Sequence, residues 1–267
     1  MIKVLVTGAR SQLAQALAHT QAAYPGFQVT FQPRHELDIT NLFQLRTYLS
    51  ANPINYLVNC AAYTDVDKAE QEQAQAFAVN ALGPGYLASL AKDLGFTLFH
   101  ISTDYVFEGK LAQPLTESMP TKPVNYYGQT KLAGEQRVLA QSSSAYIVRT
   151  SWLYGAVGTN FFTKLLARAS QDQVIRMVYE QISSPTYAHD LAKAIWEMTD
   201  KLTQAAGSYP PGIYHYANEG VASRYDWAWS MIKQAGLACR VIPGLSSDFP
   251  GLAQRPAYSV LSKEKIK

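Results

Sequence analysis

Hydrophobic positions recur along the chain in two alternating rhythms. Short apolar, β-branched runs end at small or polar residues: "IKVLVTG" (2–8), "FQVTF" (27–31), "NYLVNCAA" (55–62), "FTLFHIS" (96–102) and "AYIVRTS" (145–151). Runs of this length suit strands buried on both faces. Between them, apolar residues return at three- and four-residue steps, as at Leu13, Ala14, Leu17 and Ala18, then in "NLFQLRTYLS" and across a long stretch near 70–94. That step predicts helices with one inward face. Strands and helices taking turns predict parallel βαβ units, hence an α/β fold with a doubly wound parallel sheet.

After Trp152 the rhythm loosens. "YGAVGTN", "YEQISSPT" and "AAGSYPPG" are turn-rich, with helical stretches at 161–170 and 188–202 between them. The expected organisation is a main domain over 1–153, with 187–210 returning to it. A smaller C-terminal lobe is expected from 154–186 and 211–267. "YHYANEG" (214–220) reads as a strand and turn of that lobe.

Composition narrows the choice. With 267 residues and 48% hydrophobic content the chain can bury a large core. Net charge is +3 with basic residues scattered, so no nucleic-acid partner and no membrane surface is expected. Cys60 and Cys239 alone make neither a zinc site nor a disulfide framework, and no metal is expected. The N-terminus lacks a signal-peptide core and no window reaches a membrane span, which predicts a cytoplasmic protein.

The first strand runs into "TGARSQLA" (7–14) and then a helix. A dinucleotide-binding turn needs glycine for the tight bend and small residues where backbone nears a pyrophosphate. Gly8, Ser11 and Ala14 hold those positions; one glycine of three makes a weak fingerprint by itself. Free N–H groups at the helix start would favour an anion. The second strand is followed by "FQPRHE" rather than by the acidic residue that grips an NAD ribose. Arg34 there and Arg10 in the turn suit a 2′-phosphate, which predicts NADPH as cofactor, with NADH as the second choice.

"HISTDYVFEGK" (100–110) closes the fourth strand, at the end where parallel sheets place their ligands. Further on, "NYYGQTKLAGE" (125–135) starts a helix on which Tyr127 and Lys131, four apart, share a face. Tyr126 is five from Lys131 and points elsewhere. Hydroxyl, phenol and ammonium together suit carbonyl reduction. Hydride arriving at a carbonyl carbon leaves charge on oxygen, and a phenol can supply the proton. The phenol's ordinary pKa, near ~10, would be lowered by the lysine. Thr103 would hold the same oxygen. His100 reads as a satisfied core histidine, Asp65 and Asp67 as helix-capping and dipole residues, and Cys60 as a small buried hydrophobe. Trp152, after a strand end, reads either as lining the crevice or as core.

In order, "NCAAYTDVDKAE", "HISTDYVFEG", "NYYGQTKLAGE", "RTSWLYG", "SPTYAHDLA" and "RPAYSVL" closely resemble the dTDP-4-dehydrorhamnose reductases, extended short-chain dehydrogenase/reductases, over 3–261. The resemblance implies a Rossmann-type domain with a smaller C-terminal substrate-binding lobe. It implies NAD(P)H-dependent reduction of the 4-keto group of dTDP-4-dehydro-L-rhamnose to dTDP-L-rhamnose. Matched by position, Tyr127 is the general acid, Lys131 its partner and Thr103 the triad hydroxyl. Asp104 and Trp152 line the sugar site. Ser11, Gln12 and Leu13 lie at the pyrophosphate, Asp38 and Ile39 near the adenine, and Ala61, Ala62, Tyr63 and Thr64 in the loop after the third strand. Expected partners are a dTDP-linked keto-sugar and, as an open option, a second copy of the chain. Some members dimerise through magnesium held by glutamates, one on the first helix, where Ala16 stands here. Arg224 stands where relatives often carry an aromatic. Two alternatives remain: a sister dTDP-4-keto-6-deoxyhexose reductase of other stereochemistry, and a non-catalytic nucleotide-binding regulatory subunit on the same fold.

Overall fold

In the computed structural model, which describes residues 1–204 and 209–267, the first half of the chain alternates strand and helix. Residues 205–208, part of the "AAGSYPPG" stretch, lie outside the described residues. The order is β1 (Ile2–Thr7), α1 (Gln12–Thr20), β2 (Phe27–Gln32), α2 (Leu42–Ala51), β3 (Tyr56–Asn59), α3 (Val66–Gln71), α4 (Gln73–Phe77), α5 (Gly83–Leu94), β4 (Thr97–Thr103), α6 (Tyr126–Gln141) and β5 (Tyr146–Thr150). The remaining elements are β6 (Leu153–Tyr154), α7 (Phe161–Ala169), β7 (Val174–Val178), β8 (Ile182–Ser183), β9 (Thr186–Tyr187), α8 (Ala188–Gln204), β10 (Gly212–Tyr216), β11 (Ala222–Ser223), α9 (Arg224–Gln234) and β12 (Arg240–Gly244).

Six strands form one sheet in the order β10-β5-β4-β3-β1-β2, and each neighbouring pair is parallel. Both faces are covered, which is why β1 and β3 carry continuous apolar runs rather than alternation. On one face Val4, Val6, Val58 and Phe99 pack under α1 and α8. On the other, Leu5, Leu57, Leu98 and Ile147 pack under α2, α5 and α6. Trp196 of α8 is fully buried, and its indole N–H donates to Leu17 O and Thr20 Oγ1, tying α8 to α1. Ala16 is buried in that same contact. The chain winds outward from β1 to β2, then returns to β3 on the other side of β1. That reversal opens a crevice at the carboxyl ends of β1 and β3.

Two expectations are corrected. The helical pattern near 70–94 is not one helix. It breaks at Glu72, whose φ/ψ of −96°/46° leaves the helical region, and passes through a π-helical turn, Ala78–Leu82, before α5. The turn buries Asn80, which bonds both the N–H and the C=O of Tyr63 at 2.9 Å and Thr130 Oγ1 at 3.0 Å. Apolar spacing carries no sign of such a polar anchor. The strand in "GIYHY" also differs from its expected place in the smaller lobe. It pairs with β5 as the edge of the central sheet, and Tyr214 joins the core there.

Outside the sheet, β7 and β12 pair in parallel and pack with α7 and α9 around Leu165, Ile175, Trp227 and Met231. The final segment runs back to the sheet: Leu115 bridges Leu261, and Gln254 O accepts from Asn125 Nδ2 at 2.7 Å. Among the described residues no helix is long and apolar enough to cross a membrane.

Candidate active site

A cavity of about 1180 Å³ opens at the carboxyl ends of β1, β3 and β4. Each of the site residues expected from sequence lines it: Gly8, Arg10, Ser11, Gln12, Leu13, Arg34, Asp38, Ile39, Ala61, Ala62, Tyr63, Thr64, Thr103, Asp104, Tyr127, Lys131 and Trp152. Tyr126 does not.

One end is built from the β1–α1 turn. Gly8 adopts φ +68°, and a Cβ there would meet the Ala61 backbone nitrogen at 2.7 Å. Glycine is therefore required twice over, by conformation and by close approach. Ser11 caps α1 by accepting from Ala14 N at 3.2 Å, which leaves the other N–H groups of the first turn free for an anion. Gln12 lines the cavity with a buried Nε2 that has no partner. A dinucleotide pyrophosphate fits this donor set. Beyond it, exposed Arg34 pairs with Asp38 at 3.2 Å, and Asp38 Oδ1 also accepts from Thr40 N and Oγ1. Burial works to raise the Asp38 carboxyl, but the Thr40 and Arg34 bonds outweigh it and hold it below the usual range. Arg10 is exposed at the rim. The Ala61–Thr64 side is fixed through Tyr63 by Asn80.

The other end is built where β4 stops and α6 starts. Asn125 caps α6 by accepting from Gly128 N at 2.8 Å. Gly128 rests so close to Tyr105 that a Cβ would come within 2.3 Å of its carbonyl oxygen. This contact sets Tyr127 edge-on to Tyr105, with ring centroids 5.9 Å apart, and within hydrogen-bonding reach of the Thr103 hydroxyl. Thr103 is buried, accepts from Tyr105 N at 3.2 Å and donates to Asp104 Oδ1 at 3.1 Å. Asp104 is buried, its Oδ2 lacks a partner, and burial pushes its carboxyl up to about 6 against bonds from Ser259 and Thr103.

Lys131 departs from its expected effect on Tyr127. Its Nζ donates to Ile101 O at 2.6 Å, and burial lowers its ammonium to about 8 while Glu135, one turn on, works the other way. The Tyr127 phenol is pushed up, not down. Desolvation dominates, and the Thr103 bond opposes it. The phenol thus stays protonated over the whole neutral range. Glu135 is held in turn by Arg149 through two bonds of 2.8 and 2.6 Å, with both side chains 2% exposed.

Other expectations divide. His100 is only half satisfied: Asn59 Nδ2 donates to Nδ1 at 3.1 Å, but Nε2 is buried without a partner, as is Ser102 Oγ. Asp65 caps α3 by accepting from Lys68 N, whereas Asp67 ion-pairs with Arg255, joining α3 to the C-terminal segment. Burial pushes the Cys60 thiol up, as an inert hydrophobe requires. Trp152 is both crevice and core. It lines the cavity and stacks on Trp227 at 5.6 Å, and it is the one non-glycine residue with positive φ, +44°, among the described residues.

The family described as "RmlD substrate binding domain" matches residues 2–267. A dTDP-4-dehydrorhamnose reductase of Mycolicibacterium smegmatis is 42% identical over 98% of this chain and 79% of its own. The chain belongs to the RmlD family of dTDP-4-dehydrorhamnose reductases. Among solved relatives, a dTDP-4-dehydrorhamnose reductase of Clostridium acetobutylicum superposes with a TM-score of 0.93 at 35% identity, covering 98% of this chain and 90% of that one. The Bacillus anthracis dTDP-4-dehydrorhamnose reductase in complex with NADP gives 0.91 at 34%, covering 99% and 92%. The central sheet is the Rossmann-type sheet of this family.

Sequence reasoning missed several wall residues: Tyr105, Phe161, Trp227 and above all Arg224. A signal for the last was present. Ser223 and Asp226 form a capping box, which fixes Arg224 as the first residue of α9.

Proposed function

We propose that this protein is an NADPH-preferring reductase of the 4-keto group of dTDP-4-dehydro-L-rhamnose, yielding dTDP-L-rhamnose in the cytoplasm, with NADH as a poorer cofactor. The observation that carries this reading is one continuous cavity joining a phosphate-binding turn to the Thr103–Tyr127 pair. The cofactor, when bound, supplies hydride. Gly8, Ser11, Gln12 and Leu13 receive its pyrophosphate, Arg10 and Arg34 its 2′-phosphate, Asp38 and Ile39 flank the adenosine, and the Ala61–Thr64 loop covers it.

Tyr127 gives its phenolic proton to the carbonyl oxygen as that oxygen becomes anionic. Burial that raises the phenol raises the proton affinity of the alkoxide formed in the same low-dielectric site, so the transfer stays downhill. The Thr103 hydroxyl, which otherwise donates to Asp104 Oδ1, turns its proton to the same oxygen and fixes the carbonyl within reach. Lys131, held by Ile101 O, presents its ammonium to the cavity, where it can bond the ribose next to the nicotinamide and fix the hydride donor. Asp104 and Trp152 line the sugar side. Residues 1–153 with α8 and β10 serve as the cofactor domain, and α7, α9, β7 and β12 as the substrate lobe.

The test follows NADPH oxidation with dTDP-4-dehydro-L-rhamnose and identifies the product by NMR. The reading expects stoichiometric oxidation and dTDP-L-rhamnose. A C4 epimer would assign the chain to a sister reductase, and no oxidation would reject the reading.

A further inference from the structure

The cations of the cavity are unequally engaged. Arg34 is paired with Asp38, and Lys131 donates to a carbonyl oxygen. Arg224 differs from both. It opens α9, where the helix dipole disfavours a positive charge. Its guanidinium carbon sits 3.7 Å from the centre of the Trp152 ring and 4.9 Å from that of Phe161. The Tyr105 phenol is its hydrogen-bonding neighbour, and the Asp104 carboxylate attracts it without closing into a salt bridge. Burial and the nearby Arg255 charge work against its charged form, while Tyr105 and Asp104 favour it. A half-buried guanidinium with five donors and no salt bridge among the described residues is costly to keep. The indole beneath it is held at a strained φ of +44°, which persists only where the surroundings over-determine it. Two unfavourable features thus meet at one point on the wall, beside the residues that flank Thr103.

Stacking fixes the plane of a guanidinium and leaves its edge donors to bind two oxygens at once, the geometry that matches phosphate. The turn at Gly8 to Leu13 already serves one diphosphate at the far end of the cavity. In the reaction proposed above, the second anion to enter is the diphosphate joining nucleoside to sugar, one sugar ring away from the carbon being reduced. We propose that Arg224 is the receptor for this substrate diphosphate and so sets the depth at which the sugar meets Thr103 and Tyr127. The proposal rests on the reading of the substrate as a nucleotide sugar.

The experiment titrates NADPH-saturated protein with thymidine and with dTDP by calorimetry, for wild type, Arg224→Met and Arg224→Lys. It adds KM and kcat for the keto-sugar and NADPH affinity. Methionine keeps apolar cover on Trp152 and removes the charge; lysine keeps the charge and loses the fork. Loss of a charge-assisted bond predicts that Arg224→Met weakens dTDP by about ten- to a hundredfold, with thymidine within about threefold of wild type. Lysine should fall between, and the kinetic loss should appear in KM rather than kcat. Equal dTDP affinity in wild type and either variant would overturn the proposal. So would equal loss for thymidine and dTDP, which marks a packing role, or a loss of NADPH affinity, which marks the cofactor's own phosphates. If wild type binds dTDP through Arg224 yet reduces no keto-sugar, the functional reading fails and the receptor stands.

Discussion

Tyr127 and Lys131 are displaced by burial in opposite directions, and both displacements disfavour charge. The phenol is held protonated, ready to donate, while the ammonium survives only up to about 8. An ammonium that must be charged for turnover predicts that kcat/KM falls above about pH 8, rather than near the ~10.4 of a free lysine. The sign for stability is the reverse. Between the folded value and the ordinary one, the unfolded chain holds a proton that the folded chain has released, so stability rises with pH through that interval. A pH–rate profile alongside urea melts at the same pH values checks both limbs. A profile flat to pH 10, with stability falling over the same range, would contradict the assignment. The four-residue step puts this pair on one helix face, and its context after the fourth strand makes it a candidate. Its electrostatics are not legible there, because the balance depends on Ile101 O and on desolvation, neither of which is visible in a four-residue step.

At the scale of elements, α6 is aimed by one contact. Gly128 sits in the first turn with a Cβ position 2.3 Å from Tyr105 O and 2.9 Å from Pro123 Cβ. Backbone cannot yield cheaply, so Gly128→Ala must shift the helix start and carry Tyr127 off Thr103. The expected cost is about 1–3 kcal/mol of stability and a loss of turnover larger than any loss of NADPH affinity. Gly26→Ala, with nothing within 4 Å, is the matched control and should change neither. Thermal melts and steady-state rates of the two variants decide it. Elements with clean apolar runs, such as β1, are readable within a residue or two of their observed bounds. The 70–94 stretch is not, since its π turn exists to bury Asn80 against the Tyr63 loop. A polar anchor of that kind breaks the pattern from which helices are read.

Over the whole molecule, the sheet, its hand of winding and the cavity at its reversal point all follow from alternating strands and helices. The wall that faces them was less legible. Arg224 and Trp227 reach the cavity through turns whose geometry only tertiary packing fixes. The C-terminal segment likewise returns to brace α6 and α3, through Gln254 O on Asn125 and Arg255 on Asp67. The sequence alone places β10 in the smaller lobe, since its pairing partner, β5, lies some 66 residues earlier in register (His215 opposite Arg149) and nothing local marks the match. These parts converge on one claim, that the phenol at position 127 delivers the proton. The most direct measurement is single-turnover hydride transfer from NADPH to dTDP-4-dehydro-L-rhamnose by Tyr127→Phe, with NADPH affinity determined on the same sample. The account predicts transfer slowed by about a hundredfold or more with cofactor affinity retained. Transfer at close to the wild-type rate would contradict it.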